Sequence, residues 1–270
     1  MLILLFKPAL AEDRILSLDY CADQFVLALG DKYQIIGLSQ EARDSHSFYR
    51  DRAEGISLFR ANADIIISQK PTLIVRSWAG DNRLLGFLER LDIPIITIQH
   101  AEDPKDIDKN LVAVAKAMGQ VERGDVILRQ TKERLSQLKK MPRYDMNGIY
   151  LTPGAFTTGV GTFVNNVMEL AGIGNEFSNM GFEGWFPIPL EQLVLKPPEL
   201  IVTSFYDSQS ARQNHWGVAR HGFIKKMIEN TPNIDVPGSM MACSGLFLVD
   251  AAEHLRVEMD KVLGAKKGKK

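Results

Sequence analysis

The same short sequence pattern occurs twice in this chain, 127 positions apart. Residues 71–78 read Pro-Thr-Leu-Ile-Val-Arg-Ser-Trp, and residues 198–205 read Pro-Glu-Leu-Ile-Val-Thr-Ser-Phe. Proline stops a preceding helix, and a short β-branched run between turn residues is typical of a buried parallel strand. The repeat therefore predicts two similar α/β halves, each with such a strand in its sheet.

Aromatic residues end both copies of the pattern. Trp78 closes the first copy, and Phe205 closes the second and is followed by Tyr206. Ligands of open α/β sheets bind at the carboxyl ends of strands, and clefts between lobes are favoured ligand sites. We therefore expect a cleft between two lobes in which these aromatic side chains contact a small-molecule ligand.

The length and charge of the chain agree with this expectation. A chain of 270 residues can form two modest domains, and its 32 Lys and Arg against 33 Asp and Glu give a net charge of −1. This balance argues against nucleic acid or an acidic membrane surface as a partner. The Lys-rich end, residues 265–270, is expected to be a solvated, disordered tail.

The first eleven residues are typical of a targeting segment. An apolar run leads into Ala9-Leu10-Ala11, which has the small-x-small pattern of a signal peptidase site. Cleavage there would make Glu12 the N-terminus of an exported protein. The alternative is that the apolar run forms the first strand of the fold.

Hydrophobic periodicity divides the remaining chain into three parts. Residues 12–105 alternate strands and helices, which indicates an N-terminal lobe with a parallel sheet. Residues 106–142 carry helical spacing without strands, interrupted at Gly119, and predict a rigid helical connector. Residues 143–264 return to the strand and helix pattern and predict a C-terminal lobe. The predicted fold class is α/β, with two lobes, each a central, mostly parallel sheet flanked by helices, joined by a long rigid helix.

The same periodicity locates individual elements, with residues 42–60 expected to be irregular and 153–161 a Gly-rich turn. The predicted strands are 14–18, 34–38, 73–76, 94–99, 148–152 and 200–204, and the predicted helices outside the connector are 23–29, 65–69, 82–91, 162–170, 190–195, 223–230 and 246–262.

Six segments carry a further pattern: Arg14-Ile-Leu-Ser-Leu-Asp-Tyr-Cys-Ala-Asp-Gln-Phe, Ile35-Ile-Gly-Leu-Ser, Lys70-Pro-Thr-Leu-Ile-Val, Leu88-Glu-Arg-Leu-Asp-Ile-Pro-Ile, Asn166-Val-Met-Glu-Leu-Ala-Gly and Leu190-Glu-Gln-Leu-Val. In this order and spacing they resemble the periplasmic solute-binding proteins of ABC importers for ferric siderophores, haem and cobalamin, the helical-backbone or class III family. The resemblance covers nearly the whole mature chain. It implies a monomeric binding protein, without catalysis or cofactor, that delivers a metal chelate or corrinoid to a membrane permease.

The resemblance also implies which residues line the cleft. Trp78 stands where the cobalamin-binding relative has an aromatic residue, and the loop after the first strand contributes Tyr20 and Cys21. The loop before the last helix contributes Met241 and Cys243. Aromatic and Met side chains suit a large, flat, partly apolar ligand, and ordinary packing is the alternative role for each. The further candidates are Phe156 in the Gly-rich turn, Trp185 on a second-lobe loop, Phe205 and Tyr206.

The ligand itself stays open between two classes. Arg76, Arg212 and Arg220 favour an anionic ferric siderophore, whereas Trp78 and the Met pair at 240–241 fit cobalamin or haem.

The chain has two cysteines, Cys21 and Cys243. A disulfide is the default expectation in an exported protein. A bridge across the cleft, however, would lock the lobes and obstruct the ligand, so we expect none. Two free thiols facing the ligand and two unrelated buried residues both remain open.

Docking onto the importer uses an acidic residue on each lobe in the family that this sequence resembles. Asp81 and Asp207 follow the repeated strands at matching distances and are the candidates. The usual residue of the family is a glutamate, and its counterpart in our alignment of the motifs is Leu84. An exposed Asp at a helix start also serves as an N-cap.

Two other function classes have weaker support in the sequence. A bare-metal site needs three or four converging ligands, and the five histidines show no clustering at strand ends. An exported thiol enzyme could use Cys21 as a nucleophile with a distant histidine, but no catalytic motif supports it.

Overall fold

Two parallel β-sheets, one in each half of the chain, form the centre of the fold. The computed structural model describes residues 13–77, 81–205 and 222–267. The expected targeting segment, Trp78, Tyr206, Asp207, Arg212 and Arg220 lie outside these residues. No helix within the described ranges is long and apolar enough to cross a membrane.

The N-terminal sheet has five parallel strands in the order β3-β2-β1-β4-β5. Its central strands are buried almost completely, as expected for a sheet covered on both faces. The strands are β1 (Ile15–Ser17), β2 (Ile35–Ser39), β3 (Leu58–Phe59), β4 (Leu73–Ser77) and β5 (Ile95–Ile98).

The C-terminal half has a four-stranded parallel sheet and a separate antiparallel ribbon. The sheet strands β6 (Asn147–Leu151), β8 (Gly174–Asn175), β10 (Ile201–Thr203) and β11 (Asn233–Asp235) lie in the order β11-β10-β6-β8. The ribbon pairs β7 (Phe156–Thr158) with β9 (Trp185–Pro187). Sequence analysis predicted a turn where β7 lies, because three residues are too few to show an alternating pattern.

The repeated sequence pattern forms equivalent strands in the two sheets. The first copy is β4, which lies between β1 and β5, and the second is β10, which lies between β6 and β11. The order β2-β1-β4-β5 in one sheet therefore matches β8-β6-β10-β11 in the other. The prediction of two similar α/β halves is confirmed.

Ten α-helices within the described residues cover these sheets and connect them. Most begin with a polar N-cap, as Asp19, Asp103 and Thr162 do. The helices are α1 (Tyr20–Leu29), α2 (Ala63–Gln69), α3 (Asn82–Leu88), α4 (Pro104–Ala117), α5 (Val121–Lys140), α6 (Phe163–Leu170), α7 (Glu176–Asn179), α8 (Leu190–Leu195), α9 (Gly222–Asn230) and α10 (Leu248–Lys267).

The helical connector is confirmed, and it consists of two helices. α4 ends where Gly119 adopts a φ of +67°, and α5 continues for 20 residues, or about 30 Å. α4 packs on α1 and β5, whereas α5 packs on α6 and α10. Arg134 of α5 donates hydrogen bonds to Asp250 of α10 at 2.9 Å and to Glu253 of α10 at 3.0 Å. α5 is therefore the element that joins the lobes.

The end of the chain differs from the sequence-based prediction. Residues 265–270 were expected to form a disordered tail, but α10 continues through Lys267. Lysine is a good helix former, so an existing helix extends into a Lys-rich segment at little cost.

Candidate functional site

A cavity of about 350 Å³ lies between the two halves of the chain. Its N-terminal wall is formed where strands of the first sheet end, at Ser77, the last residue of β4, and at Ile98, the last residue of β5. Its C-terminal wall includes Thr162 at the start of α6 and Trp185 on β9. The carboxyl ends of parallel strands are where ligands of such sheets bind.

A larger groove, about 660 Å³, lies elsewhere, among α1, α5 and α10. Its cations are largely engaged within the protein: Arg123 pairs with Asp31 at 2.7 Å, and Arg134 binds the carboxylates of α10. Because the smaller cavity combines strand ends with residues of both halves, we take that cavity as the functional site.

Tyr20 stands at the edge of the cavity on the first turn of α1. Asp19 caps this helix by accepting from Ala22 N at 3.0 Å, and its other oxygen accepts from Ser77 N at 2.7 Å. The Tyr20 hydroxyl donates to the Ala242 carbonyl at 3.1 Å, which joins α1 to the segment before α10. Burial raises the pKa of Tyr20 above its usual value, so the phenol stays protonated.

Cys21 and Cys243 form a disulfide across this cavity wall, with their Cα atoms 5.7 Å apart. The expectation of no bridge was therefore wrong. It assumed that the cysteines lie on facing sides of the cleft. Instead, the segment 240–247 returns from the second half to pack on α1, with Met241, Cys243 and Phe247 in the same core as Phe25. The bridge forms part of the wall and leaves the cavity open.

The disulfide also excludes one of the sequence-based alternatives. A nucleophilic enzyme at Cys21 requires a thiolate, and the sulfur of Cys21 is bonded to Cys243.

The loop after β5 contributes Gln99, His100 and Glu102 to the cavity wall. His100 Nε2 lies 3.2 Å from Glu102 Oε1. Sequence analysis missed this pair, because it searched for a cluster of histidines. The available signal was the position of His100 and Glu102 directly after a predicted strand.

Trp185 forms the opposite wall from the ribbon of β7 and β9. It lies across from Thr158 in the strand register and packs edge-on against Tyr150, with ring centroids 5.8 Å apart. The Trp185 side chain is nevertheless 52% exposed. A large aromatic surface that is held from one side and open on the other is available to a ligand.

The structure brings five of the sequence-predicted ligand residues together: Tyr20, Cys21, Trp185, Met241 and Cys243. Two others lie away from the cavity lining. Phe156 is exposed further along the ribbon, opposite Pro187, and Phe205 packs against Gly238 after β10 with a φ of +69°. Trp78 and Tyr206 lie outside the described residues.

Asp81, the first docking candidate, is exposed and caps α3. Its Oδ1 accepts from Arg83 N at 2.8 Å and from Leu84 N at 3.4 Å. The side chain thus satisfies backbone donors of the helix whether or not it also meets a partner. Asp207 lies outside the described residues.

One carboxyl group behind the cavity wall is completely buried. Asp23, on α1, accepts hydrogen bonds from Ser39 Oγ at 2.6 Å and Ser39 N at 3.2 Å. Burial raises the pKa of Asp23 to about 7, against the lowering effect of the Ser17 and Ser39 hydrogen bonds. This group couples α1 to the end of β2, about one helical turn along α1 from Tyr20.

The ionisable side chains of the described cavity wall are few. His100 and Glu102 face the cavity together with the Tyr20 phenol, and no Lys or Arg of the described residues lines it. Within the described ranges, no group of three or more His, Cys, Asp and Glu side chains is placed to hold a metal ion.

Comparisons with known proteins show similarity in structure only. No protein-family model matches the sequence, and no curated protein matches it at a significant level. Among solved structures, the periplasmic haem-binding protein HutB of Vibrio cholerae superimposes with a TM-score of 0.75 at 16% identity, covering 92% of this chain and 99% of that one.

Two further structures have the same fold and bind other solutes. The periplasmic vitamin B12-binding protein BtuF of Vibrio cholerae has a TM-score of 0.67 at 20% identity, covering 93% of this chain and 98% of that one. The molybdate-binding protein MolA of Haemophilus influenzae has a TM-score of 0.69 at 15% identity, covering 94% and 86%. The resemblance seen in the sequence is confirmed at the level of the fold, which is that of the class III periplasmic solute-binding proteins.

Proposed function

We propose that this chain is an exported solute-binding protein that captures an iron chelate, either a siderophore or haem, or cobalamin between its two lobes. It then delivers the ligand to the membrane permease of an ABC importer. The observation that carries the proposal is the cavity itself, which is lined from both halves at strand ends within a fold that solute-binding proteins use. The protein acts by binding and release, without a chemical step.

The lobes comprise residues 12–105 and 143–264, with 106–142 as the connector. α5 and the Cys21–Cys243 disulfide both restrain them, so ligand binding moves the lobes only slightly. A covalent bond beside the cavity removes opening motions at that point, which preorganises the site and lowers the entropy lost on binding.

The ligand contacts we assign are the five residues that line the cavity together, with Trp78 and Tyr206 added from the sequence pattern. Tyr20, Trp185 and Met241 offer aromatic and polarisable surface. A bare metal ion would need three or four converging donors, whereas the described residues of this wall supply one imidazole and one carboxylate. The surface suits a metal that arrives inside an organic chelate.

Docking on the permease is assigned to Asp81 on the first lobe and Asp207 on the second. The substitution Asp81→Asn separates docking from capping, because asparagine caps a helix as well as aspartate does. We expect the variant to keep its thermal stability and ligand affinity and to stimulate permease-dependent uptake less strongly in reconstituted vesicles.

The test of the proposed function is a fluorescence titration of the mature protein with haemin, cyanocobalamin, aquocobalamin, a ferric hydroxamate and a ferric catecholate in separate experiments. Saturable binding of one of them with a Kd below about 1 μM supports the proposal, since this corresponds to roughly 8 kcal/mol of binding free energy. Absence of saturable binding to every member of the panel contradicts it.

A further inference from the structure

The groove of about 660 Å³ among α1, α5 and α10 shares none of its described lining residues with the cavity. Its volume lies within the range of about 300–1,000 Å³ that pockets for small molecules have. Its cations are Lys32, Arg52, Arg123 and Arg134, and Asp250 is the one carboxylate among its described lining residues. The groove is therefore basic, whereas no Lys or Arg of the described residues lines the cavity.

The charges of two of the four cations are not neutralised by a carboxylate. Arg123 and Arg134 bind carboxylates of the chain. The Lys32 side chain forms no hydrogen bond or ion pair with a described residue, and its Nζ lies 3.0 Å from the position that a Cβ on Gly55 would take. Arg52 also has no carboxylate partner among the described residues. An anion in the groove therefore meets two charges that the protein leaves uncompensated.

Tyr49 adds a hydrogen-bond donor beside these charges. The Arg52 guanidinium lies over the Tyr49 ring, 4.5 Å from its centroid, and donates to the Leu27 carbonyl at 3.2 Å. The Tyr49 hydroxyl has no hydrogen-bond partner among the described residues. Burial raises the pKa of Tyr49, so the hydroxyl keeps its proton and is able to donate it to a hydrogen bond. An acceptor that enters the groove would satisfy this half-buried donor.

The backbone that carries Tyr49 is fixed. Gln24, a buried residue of α1, accepts from Tyr49 N at 3.0 Å and donates to Ser47 Oγ at 2.9 Å. Arg43 donates to the Ile56 carbonyl at 2.7 Å. The segment between β2 and β3 is thus held on α1 and cross-linked within itself. A preformed site loses less entropy when it binds a ligand.

The apolar part of the groove is mostly aliphatic. One face of each aromatic ring is already covered, because Arg52 lies over Tyr49 and Phe48 stacks on Phe247 with ring centroids 4.9 Å apart. Branched aliphatic side chains therefore offer most of the apolar contact, which suits an alkyl chain better than an aromatic ring. The aliphatic lining consists of Leu27, Ala28, Ile35, Ile56, Ile127 and Leu246.

We propose that this groove is a second ligand site, which binds a small single-chain amphiphile with a carboxylate or phosphate head group. Lys32, Arg52 and Tyr49 bind the oxygens of the head group, and the aliphatic lining contacts the alkyl chain. Binding involves no covalent step. Because the groove and the cavity have separate walls, this inference goes beyond the proposed function and does not depend on the ligand of the cavity.

The experiment is isothermal titration calorimetry of the wild type, Lys32→Ala, Tyr49→Phe and two control variants. Lys105→Ala removes an exposed lysine of α4 that lies outside the groove and has no ion pair with a described residue. Trp185→Ala alters the cavity instead of the groove. The ligands are octyl phosphate and octanoate, which distinguish the two head groups. In the comparison set, 1-octanol and octylammonium lack the anion, inorganic phosphate lacks the chain, and benzoate replaces the chain with a ring.

We expect the wild type and both controls to bind octyl phosphate or octanoate saturably, at least about 10-fold more tightly than 1-octanol or inorganic phosphate. Octylammonium should not bind, because the groove repels a cation. Lys32→Ala should lose about 10-fold in affinity and Tyr49→Phe about 5-fold, since a hydrogen bond from a charged donor contributes more than one from a hydroxyl. Tyr49→Phe should keep the melting temperature of the wild type, because its hydroxyl has no partner among the described residues.

Three results overturn this inference. The first is the absence of saturable binding of both octyl anions to the wild type. The second is an affinity for them that is unchanged in both Lys32→Ala and Tyr49→Phe, or that falls equally in Trp185→Ala. The third is binding of 1-octanol or benzoate as tight as that of the octyl anions. None of these results bears on the proposed function, which the titrations with iron chelates and cobalamins test separately.

Discussion

Cys21 and Cys243 lie 222 residues apart in the sequence, and the disulfide between them joins the first turn of α1 to the segment that precedes α10. Both residues also line the cavity between the lobes. The disulfide thus ties the start of the first lobe to the segment before the last helix, beside the site.

Removal of this disulfide should destabilise the protein. The bond closes a loop of 222 residues, and loss of such a cross-link costs about 2–5 kcal/mol because the unfolded chain gains freedom. We expect the midpoint of urea unfolding to fall when a reductant is added. The variant Cys21→Ser/Cys243→Ser is the matched control, since its midpoint should be low and insensitive to reductant. Equal midpoints for the oxidised and reduced wild type would contradict the structure, as would alkylation of a thiol in the native, unreduced protein.

The buried carboxyl of Asp23 should make stability depend on pH. Its pKa is raised from 3.8 to about 7 in the folded protein, chiefly by burial, so the folded state binds a proton that the unfolded state has lost. The free energy of unfolding therefore falls as the pH rises from about 4 to about 7, the window between the two pKa values.

The substitution Asp23→Asn tests this dependence, because the amide is neutral at every pH in the window. We expect the plot of unfolding free energy against pH to be flatter for the variant. The measurement is urea unfolding at intervals of about half a pH unit across the window. Asp31→Asn serves for comparison, since that half-buried carboxyl pairs with Arg123, whose hydrogen bond lowers its pKa. A slope that persists in Asp23→Asn would assign the pH dependence to other groups.

Trp185 and Phe156 should differ in their effect on ligand binding, although both are exposed aromatic residues of the same ribbon. Trp185 lines the cavity and Phe156 does not. Trp185→Ala should weaken binding about 10-fold, which corresponds to the upper end of the energy of an aromatic contact. Phe156→Ala should leave the affinity unchanged. The measurement is isothermal titration with whichever ligand binds the wild type, and equal affinities for the two variants would place the ligand elsewhere.

Gly159 and Gly86 should respond in opposite ways to substitution by alanine. A Cβ on Gly159 would lie 2.0 Å from the Phe182 carbonyl oxygen, so the backbone between β7 and β9 must separate to admit it. Gly86 lies in α3 with no atom within 4 Å of its Cβ position. We expect Gly159→Ala to destabilise the protein by at least about 2 kcal/mol, and Gly86→Ala to stabilise it by up to about 1 kcal/mol. The measurement is the melting temperature of both variants. An unchanged melting temperature for Gly159→Ala would contradict the prediction, because it would mean that the ribbon accommodates the added Cβ without loss of stability.

Local sequence patterns were sufficient for the architecture. The repeated Pro-x-Leu-Ile-Val pattern predicted equivalent internal strands. Both copies are internal strands, and each occupies the corresponding position in the strand order of its own sheet. Helical spacing around Gly119 predicted the connector and the point where it divides. These features depend on residues close together in the chain, which periodicity and turn chemistry report directly.

The short strands show where local patterns end. The sequence did not predict β3, β7, β8, β9 and β11, which hydrogen bonds to strands elsewhere in the chain define. β1 and β10 also have only three residues, but they lie within apolar runs that predicted them. Trp185 lies on the cavity wall because β9 pairs with β7. No sequence pattern within either segment predicts this pairing.

The sequence by itself determined the two α/β halves, their helical connector and the class of fold. The tertiary structure decided the composition of the site. It brought Cys243 to Cys21, moved Phe156 and Phe205 away from the cavity lining, and placed the loop of His100 and Glu102 around the same cavity as Trp185. The physical reason is distance along the chain: strand and helix formation depends on neighbours, whereas a binding wall depends on how residues more than a hundred positions apart pack once both lobes are folded.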